Sequence, residues 1–275
     1  MRICAFADEA STLIDGQIAA MKRNGISLLE IRGVDGENIK DISSLKAKEV
    51  KKKLDDAGIS VWSMGSPIGK ITTGDDLDAH IEEHKRIMEY ADIFGTKRIR
   101  LFSFLNFKDA PLSWEEFEAK AFPMMKKLCD ATPDGFILCH ENEKRIFGEN
   151  PENCVKLLKE FKKLRAVFDP ANFVQCGVDT LKAWDMLEGY IDYMHIKDAN
   201  AQGKVVPAGH GIGNVAELIK RYIAIGGDVV TLEPHLNSFV GLDKLENGES
   251  LETAYSYKNN DESFDAAVKA LREIM

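Results

Sequence analysis

The sequence lacks several features that would place it in a common class of protein. Its five cysteines are widely spaced and form no CxxC pair, so neither a disulfide framework nor a cysteine zinc cluster is expected. No apolar run approaches the roughly 18 residues of a membrane span. The opening segment MRICAFADEA enters a strand-like run at once and lacks the layout of a secretory signal. We therefore expect a cytoplasmic protein with reduced thiols and no membrane partner.

Positive charge is also scarce. The chain has 36 Lys and Arg against 45 Asp and Glu, which gives a net charge of −9. Because nucleic-acid binding depends on neutralising phosphates with basic residues, no nucleic-acid partner is expected. No GxGxxG follows the first strand-like run and no P-loop occurs, which argues against a nucleotide-binding protein.

What the sequence does contain is a regular alternation of short apolar runs with amphipathic stretches. Eight such pairs occur in 275 residues, with no low-complexity tract or Pro/Gly-rich linker between them. Asn150 and Pro151 have the pattern of a helix start, and Gly95 that of a helix end. The second amphipathic stretch has its apolar positions at Leu45, Val50, Leu54 and Ala57. These patterns predict an α/β protein with one domain over residues 1–275, a closed (β/α)8 barrel.

Two connections are too long to be simple turns. One runs from about Asp198 to Asn214 and the other from about His235 to Asp261. Long loops in a compact domain are usually functional or disordered. Both follow a predicted strand, so both are expected at the carboxyl-end face, where barrel enzymes place their active sites.

Polar side chains gather where the predicted strands end. Four of them are candidate metal ligands, one from each of strands five to eight: Glu141, Asp169, His195 and Glu233. Adjacent strands lie about 4.8 Å apart, so four neighbouring residues at this rim can close around one ion. Three carboxylates and an imidazole favour Mn²⁺ or Mg²⁺, with Zn²⁺, Co²⁺ or Fe²⁺ also compatible. The pattern predicts one divalent metal ion as the cofactor.

Other polar residues near the strand ends are candidates for substrate contact. They are Glu30, Arg32, Lys70, Arg100, Asn172, Lys197, Asp198, His210 and His235. For Arg32 and Lys197, a salt bridge at the rim is an equally good interpretation. His140 has the opposite parity to Glu141 along its strand, so it should face the helices. Glu143 lies past the strand end and is expected to be exposed in a loop.

Several segments resemble the sugar phosphate isomerase/epimerase family of xylose-isomerase-like TIM barrels. LCHEN is similar to the segment that carries the family's first metal-binding Glu, which implies Glu141, and FDPAN to its Asp-Pro segment, which implies Asp169. MHIKDA is similar to its His-x-x-Asp motif, PAGHGIGN to its Gly-x-Gly loop, and TLEPH to its terminal Glu segment, implying His195 and Glu233. Family epimerases often have a His three residues after the sixth-strand Asp, where this chain has Asn172.

The chemistry expected from this resemblance is metal-dependent isomerisation or epimerisation of a sugar or sugar phosphate. Glu141 and Glu233 would move a proton on opposite faces of a metal-stabilised enediolate, and the partner would be a small carbohydrate. Three alternatives stay open: a dehydratase acting on an inosose-like keto-cyclitol, an AP-endonuclease-like hydrolase, and a non-catalytic sugar-binding barrel. A homo-oligomer is equally compatible with the sequence.

Overall fold

Eight parallel strands close into a barrel in the computed structural model, which describes residues 1–240 and 253–275. The strands are β1 (Arg2–Ala5), β2 (Leu28–Ile31), β3 (Ser60–Met64), β4 (Arg98–Leu101), β5 (Ile137–Glu141), β6 (Leu164–Phe168), β7 (Ile191–Ile196) and β8 (Val229–Leu232). Each strand pairs with its neighbours in sequence, and β1 pairs with β8, with Arg2 opposite Val229 and Ala5 opposite Leu232. The predicted (β/α)8 TIM barrel is confirmed.

Helices connect the strands on the outside of the barrel. Within the described residues they are α1 (Ile14–Arg23), α2 (Ser44–Asp56), α3 (Leu77–Phe94), α4 (Trp114–Ala131), α5 (Pro151–Glu160), α6 (Pro170–Gln175), α7 (Thr180–Leu187), α8 (Val215–Ala224) and α9 (Asn260–Ile274). The Asn150 side chain accepts a hydrogen bond from the backbone N–H of Asn153 at the start of α5, as predicted. Gly95 ends α3 with a positive φ of 76°. The sequence patterns did not predict the short helix α6, which begins directly after Asp169.

The apolar positions of α2 do not all face the barrel. Val50 and Leu54 are buried, but Leu45 is 69% exposed. The buried face instead includes Ala47, which lies three residues before Val50. Leu45 is two residues from Ala47, about 200° around the helix, and therefore faces solvent.

The two long connections contact each other at the carboxyl-end face. In the first, Asp198–Ala199 pairs with Val205–Val206 in a short antiparallel ladder. In the second, Thr253 pairs with Val205, and the N–H of Ala254 donates to the Val205 carbonyl. Residues 241–252 of this connection lie outside the described part of the chain. No helix in the described ranges is long and apolar enough to span a membrane.

Candidate metal centre

The four predicted ligands meet inside the barrel mouth. Glu141 is the last residue of β5, Asp169 follows β6, His195 lies in β7, and Glu233 follows β8. One ligand atom from each of the four lies within 4.8 Å of the other three. All four side chains are almost completely buried. The structure therefore brings together the set that the sequence predicts.

Backbone hydrogen bonds extend the barrel by one residue at this point. The N–H of Glu233 donates to the Ile196 carbonyl at 3.1 Å, which holds Glu233 beside β7. Asp169 is fixed by Asn142, whose side-chain oxygen accepts from the Asp169 N–H at 2.9 Å and whose NH₂ donates to the Asp169 carbonyl at 3.0 Å. Asp169 Oδ1 accepts from the backbone N–H of Asn172 and caps α6. This leaves Oδ2 for the centre.

His195 lies between carboxylates on both sides of its ring. Nδ1 lies 3.0 Å from Glu141 Oε1 and 3.6 Å from Glu233 Oε2, whereas Nε2 lies 3.3 Å from Glu30 Oε2. Burial opposes protonation, but Glu141 and Glu30 outweigh it and raise the pKa of His195 well above its usual value. When the imidazole is neutral, an Nε2–H directed at Glu30 leaves the Nδ1 lone pair facing Glu141 and Glu233. That tautomer is the one a metal ligand at this position requires.

Cationic side chains surround the carboxylates. Lys197 Nζ lies 3.1 Å from Asp169 Oδ2 and 3.1 Å from Glu233 Oε2. The Nη1 atom of Arg32 lies 3.0 Å from Glu233 Oε1. On the other side, Nη1 of Arg100 lies 3.2 Å from Glu141 Oε2. The site is therefore a compact network of alternating charges rather than an isolated acidic cluster.

The three carboxyl groups differ in how well this network compensates their charge. Burial raises the pKa of Glu141, but His195 and Arg100 outweigh it and hold that pKa at about 2. Burial is likewise outweighed at Glu233, where Lys197 and His235 hold the pKa well below its usual range. At Asp169, burial and the neighbouring carboxylates raise the pKa to about 7 despite Lys197. Asp169 is thus the carboxyl group that most lacks a compensating cation.

The residues present fit a divalent ion. Three carboxylate oxygens and one imidazole nitrogen form an oxygen-rich donor set of the kind that Mn²⁺ or Mg²⁺ binds and that Zn²⁺ also accepts. Asp169 Oδ2 is buried and accepts no hydrogen bond from the described residues, although the Lys197 ammonium lies near it. A buried carboxylate oxygen without a hydrogen-bond donor is costly unless a cation compensates it.

The sequence interpretation missed two carboxylates at this rim. Asp8 and Glu9 lie in a 3₁₀ turn directly after β1 and are both buried. Asp8 Oδ2 lies 2.9 Å from Nε of Arg32, and Glu9 Oε1 lies 3.0 Å from its Nη2. Glu9 Oε2 also accepts a hydrogen bond from the His235 backbone N–H at 2.6 Å. The signal was present, because both residues follow the end of the first strand just as the predicted residues follow theirs.

A small cavity adjoins the centre. It is lined by Lys70, Arg100, Phe102, Glu141, Glu143, Asn172, Lys197, Glu233 and His235. Five of these residues are predicted substrate contacts, namely Lys70, Arg100, Asn172, Lys197 and His235. Asn172 Nδ2 lies 3.4 Å from Glu141 Oε1, so a residue at the position of the family's histidine reaches the ligand set.

His140 and Glu143, which lie close to Glu141 in the sequence, face different surroundings. His140 faces away from the cavity, as its parity predicts: Nε2 lies 2.9 Å from Ser103 Oγ, and burial lowers the pKa of the imidazole to about 4. The prediction that Glu143 is exposed is wrong. Glu143 is only 8% exposed, and its Oε2 lies 2.6 Å from Lys70 Nζ. The Asn142–Asp169 hydrogen bonds turn the chain so that Glu143 faces the cavity.

Four predicted substrate contacts do not line the cavity. Glu30 is buried against His195 and Tyr193, and Arg32 lies among Asp8, Glu9 and Glu233. The Asp198 carboxylate accepts hydrogen bonds from the backbone N–H groups of residues 199, 209, 211 and 213. His210 is exposed, and its Nδ1 lies 2.9 Å from the Tyr255 hydroxyl. For these four, substrate contact stays a prediction, and their observed contacts are with the protein itself.

Comparisons with known proteins agree with the architecture. A family model described as xylose isomerase-like TIM barrel matches residues 18–274. No curated protein sequence gives a significant match.

Solved structures with similar folds include enzymes of different reaction types. One is the probable 3-DHS dehydratase AsbF from Bacillus anthracis, with a TM-score of 0.74, 16% identity and 99% of both chains covered. Another is the IolI protein with a bound zinc atom, with a TM-score of 0.76, 16% identity and coverage of 100% of this chain and 98% of that one. A third is D-allulose 3-epimerase from Methylomonas sp. in complex with D-allulose, with a TM-score of 0.75, 19% identity and coverage of 100% and 96%.

At these identities the solved structures establish the fold alone. The family model, by contrast, matches nearly the whole sequence. The chain therefore belongs to the xylose isomerase-like TIM barrel family.

Proposed function

We propose that this chain is a divalent-metal-dependent isomerase or epimerase that acts on a sugar or sugar phosphate. The observation that carries the proposal is the pair Glu141 and Glu233: two buried carboxylates that line one cavity and also belong to the candidate metal centre. They come from β5 and β8, which are separated by β6 and β7. A ketose in the cavity would therefore have one carboxylate on either side.

The electrostatics of the site keep these two residues ionised, which is the form in which a carboxylate can accept a proton. Cations hold the pKa of Glu141 at about 2 and that of Glu233 well below its usual range, so both are carboxylates at neutral pH. One carboxylate removes the proton from the carbon beside the carbonyl and becomes a carboxylic acid. In isomerisation the same acid returns that proton to the neighbouring carbon. In epimerisation the second group, after taking a proton from solvent, delivers it to the opposite face while the first releases its proton to solvent. A positioned base of this kind typically contributes roughly 10²–10⁴-fold to the rate. The divalent ion, when bound, supplies the positive charge that makes this carbon acidic.

The rest of the cavity wall suits a polyhydroxylated substrate. Lys70 is paired with Glu143 at 2.6 Å and lies 4.5 Å from the centre of the Phe102 ring. Asn172, Lys197 and His235 add N–H donors on the same wall. These donors and the nearby carboxylates can hydrogen-bond to hydroxyls on consecutive carbons, and so hold the reacting carbon between Glu141 and Glu233.

Solvent exchange tests the proposal directly. Purified protein with Mn²⁺ is incubated in D₂O with a panel of ketoses and their phosphates, and deuterium uptake is followed by mass spectrometry and NMR. We expect uptake beside the carbonyl of at least one substrate, and loss of that uptake in Glu233→Gln and Glu141→Gln. Glu115→Gln, at an exposed position of α4, is the matched control and should exchange like the unmodified protein. Equal exchange in all variants would refute the assignment.

A second candidate, a dehydratase of a keto-cyclitol, is favoured by His235. Burial disfavours the charged imidazole, but Glu9 and Glu233 outweigh it and raise the pKa of His235 to about 9. Its Nε2 lies 3.4 Å from Glu233 Oε1, so an acid stands beside the proposed base. Glu233 would take the proton from carbon while His235 protonates the departing hydroxyl, which leaves as water. A product lighter by one water, rather than an isomer of equal mass, would identify this reaction.

A further inference from the structure

The Lys197 ammonium lies beside Asp169, the carboxyl group of the candidate metal centre whose negative charge is least compensated. Its ammonium lies 3.1 Å from Asp169 Oδ2 and 3.1 Å from Glu233 Oε2, and the residue is 5% exposed. Lys197 is two residues after His195, so its side chain leaves the β7 segment on the same side as the imidazole. A monovalent cation built into the chain thus bridges two of the four predicted ligands.

The ammonium and a divalent ion cannot keep the same contacts. A divalent ion bound by these four residues needs its carboxylate oxygens at roughly 2.0–2.2 Å, and it would therefore lie within a few ångströms of Nζ. Two cations at that distance in a buried site repel each other strongly, because little water screens them. Either the lysine moves away from Asp169 and Glu233 or the ion binds weakly.

Arg32 and Arg100 are each held in place by several contacts. Arg32 is anchored by Asp8 and Glu9 in addition to Glu233. Arg100 donates to the carbonyls of Gly65 and Ser66 as well as to Glu141. Lys197 pairs with Asp169 and Glu233, and both of these residues are predicted metal ligands. Its side chain is also flexible and already lines the cavity, which gives the ammonium a place to move.

We propose that Lys197 is an internal counter-ion of the metal-free centre and is displaced from Asp169 and Glu233 when the divalent ion binds. This inference rests on the metal dependence in the proposed function. In the metal-free protein the ammonium keeps two buried carboxylates together that would otherwise repel each other. In the metal-bound protein it faces the cavity, where it donates to a substrate oxygen. Lys197 is in this sense a positioning residue that lowers metal affinity and couples metal binding to the formation of the substrate site.

The affinity of the complete chain for Mn²⁺ alone, measured by isothermal titration calorimetry, tests this inference. Lys197→Met removes the charge and keeps an unbranched side chain, so it should bind Mn²⁺ at least tenfold more tightly than the unmodified protein. Its metal-free form should melt at a lower temperature, and Mn²⁺ should raise that temperature by more than in the unmodified protein. Lys40→Met removes a lysine that pairs with Asp41 and Glu83 away from the centre, and its affinity should stay within twofold.

A second measurement needs no substitution and so does not depend on the folding of a variant. Lysine acetylation of the unmodified protein, followed by peptide mass spectrometry, should show faster labelling of Lys197 with saturating Mn²⁺ than without it. Unchanged or slower labelling, or a Lys197→Met protein that binds Mn²⁺ no more tightly, overturns the displacement while leaving metal dependence intact. If neither protein binds Mn²⁺, the metal-dependent function fails and this inference fails with it.

Discussion

The Nε2 atom of His195 lies 3.3 Å from Oε2 of Glu30, and the other oxygen of that carboxylate accepts a hydrogen bond from the Tyr193 hydroxyl at 2.8 Å. Glu30 is completely buried, so its position and that of the imidazole depend on each other. A carboxylate on the far nitrogen of a metal-binding histidine fixes the ring orientation and the tautomer. Glu30 thus orients His195 through Nε2, on the side of the ring opposite the Nδ1 atom that faces Glu141.

Replacing Glu30 should therefore weaken metal binding without touching a predicted ligand. Glu30→Gln keeps the size of the side chain but removes the charge that orients His195, so we expect Mn²⁺ affinity to fall roughly 10–100-fold. Tyr193→Phe removes only one donor to Glu30 and should have a smaller effect. Calorimetric titration measures both. The change is opposite in sign to that expected for Lys197→Met, and unaltered affinity in Glu30→Gln would show that His195 needs no such support.

Asn142 should matter for the stability of the metal-free protein. Its side chain makes the reciprocal hydrogen bonds that hold Asp169, so Asn142→Ala leaves the buried N–H of Asp169 unpaired and leaves its carbonyl with only the 3.4 Å hydrogen bond from the Phe173 N–H. The expected loss in the free energy of unfolding is about 1–3 kcal/mol, measured by urea denaturation. Asn153→Ala, in the first turn of α5 and away from the centre, is a control for loss of a buried amide. Equal destabilisation by both would mean that the contact with Asp169 has no special role.

The glycine loop around Asp198 should tolerate no side chain at position 211. A Cβ added at Gly211 would lie 2.2 Å from Asp198 Oδ1 and 2.3 Å from the Ala199 carbonyl oxygen. Gly211→Ala should therefore destabilise the loop by about 1–3 kcal/mol and expose it to limited proteolysis. Gly189→Ala is the matched control, because in the described residues no atom lies within 4 Å of the added Cβ. If Gly211→Ala is as resistant to protease as Gly189→Ala, the loop is not held by Asp198 as the structure indicates.

Stability should fall in mild acid because of His84, which lies far from the candidate centre. Its Nε2 lies 2.8 Å from Thr132 Oγ1, and that hydroxyl donates to the Leu128 carbonyl, so Nε2 carries the hydrogen. Burial, together with His80, lowers the pKa of His84 from its ordinary 6.5 to about 4.

The sign of the pH effect follows from this lowered pKa. Below pH 6.5 the unfolded chain binds a proton at His84, whereas the folded protein does not do so until about pH 4. The contribution of His84 is thus complete above pH 6.5 and is lost as the pH falls towards 4, a total of about 3 kcal/mol. His84→Gln keeps a donor to Thr132 and should make the dependence of unfolding free energy on pH shallower between 7 and 4.5. Parallel profiles for the two proteins would contradict this account.

The sequence was sufficient for the fold and for the four predicted ligands because both follow from periodicity. Strand–helix alternation sets the barrel, and the position of a residue at a strand end sets which side chains enter its mouth, as for Glu141 and His195. Periodicity does not indicate how deeply a side chain is buried or which charged side chains form ion pairs. The contact of Glu30 with His195 at 3.3 Å, and those of Lys197 with Asp169 and Glu233 at 3.1 Å, depend on exact side-chain positions in three dimensions.

Local irregularities explain the other differences. Glu143 faces the cavity because Asn142 turns the chain towards Asp169, a side-chain contact that no repeat predicts. Asp8 and Glu9 lie in a one-turn 3₁₀ segment, where strand parity no longer gives the direction of a side chain. Leu45 is apolar yet exposed. Single exposed apolar residues are common in folded proteins, so an apolar residue in a helix does not by itself predict burial.

The central claim is that Glu141, Asp169, His195 and Glu233 bind one divalent ion. Anomalous diffraction from crystals grown with Mn²⁺ tests it most directly. The account predicts one strong anomalous peak within coordination distance of all four side chains, with the Lys197 ammonium no longer between Asp169 and Glu233. A map with no peak there, or with the ion bound elsewhere while Lys197 keeps its bridge, would contradict it.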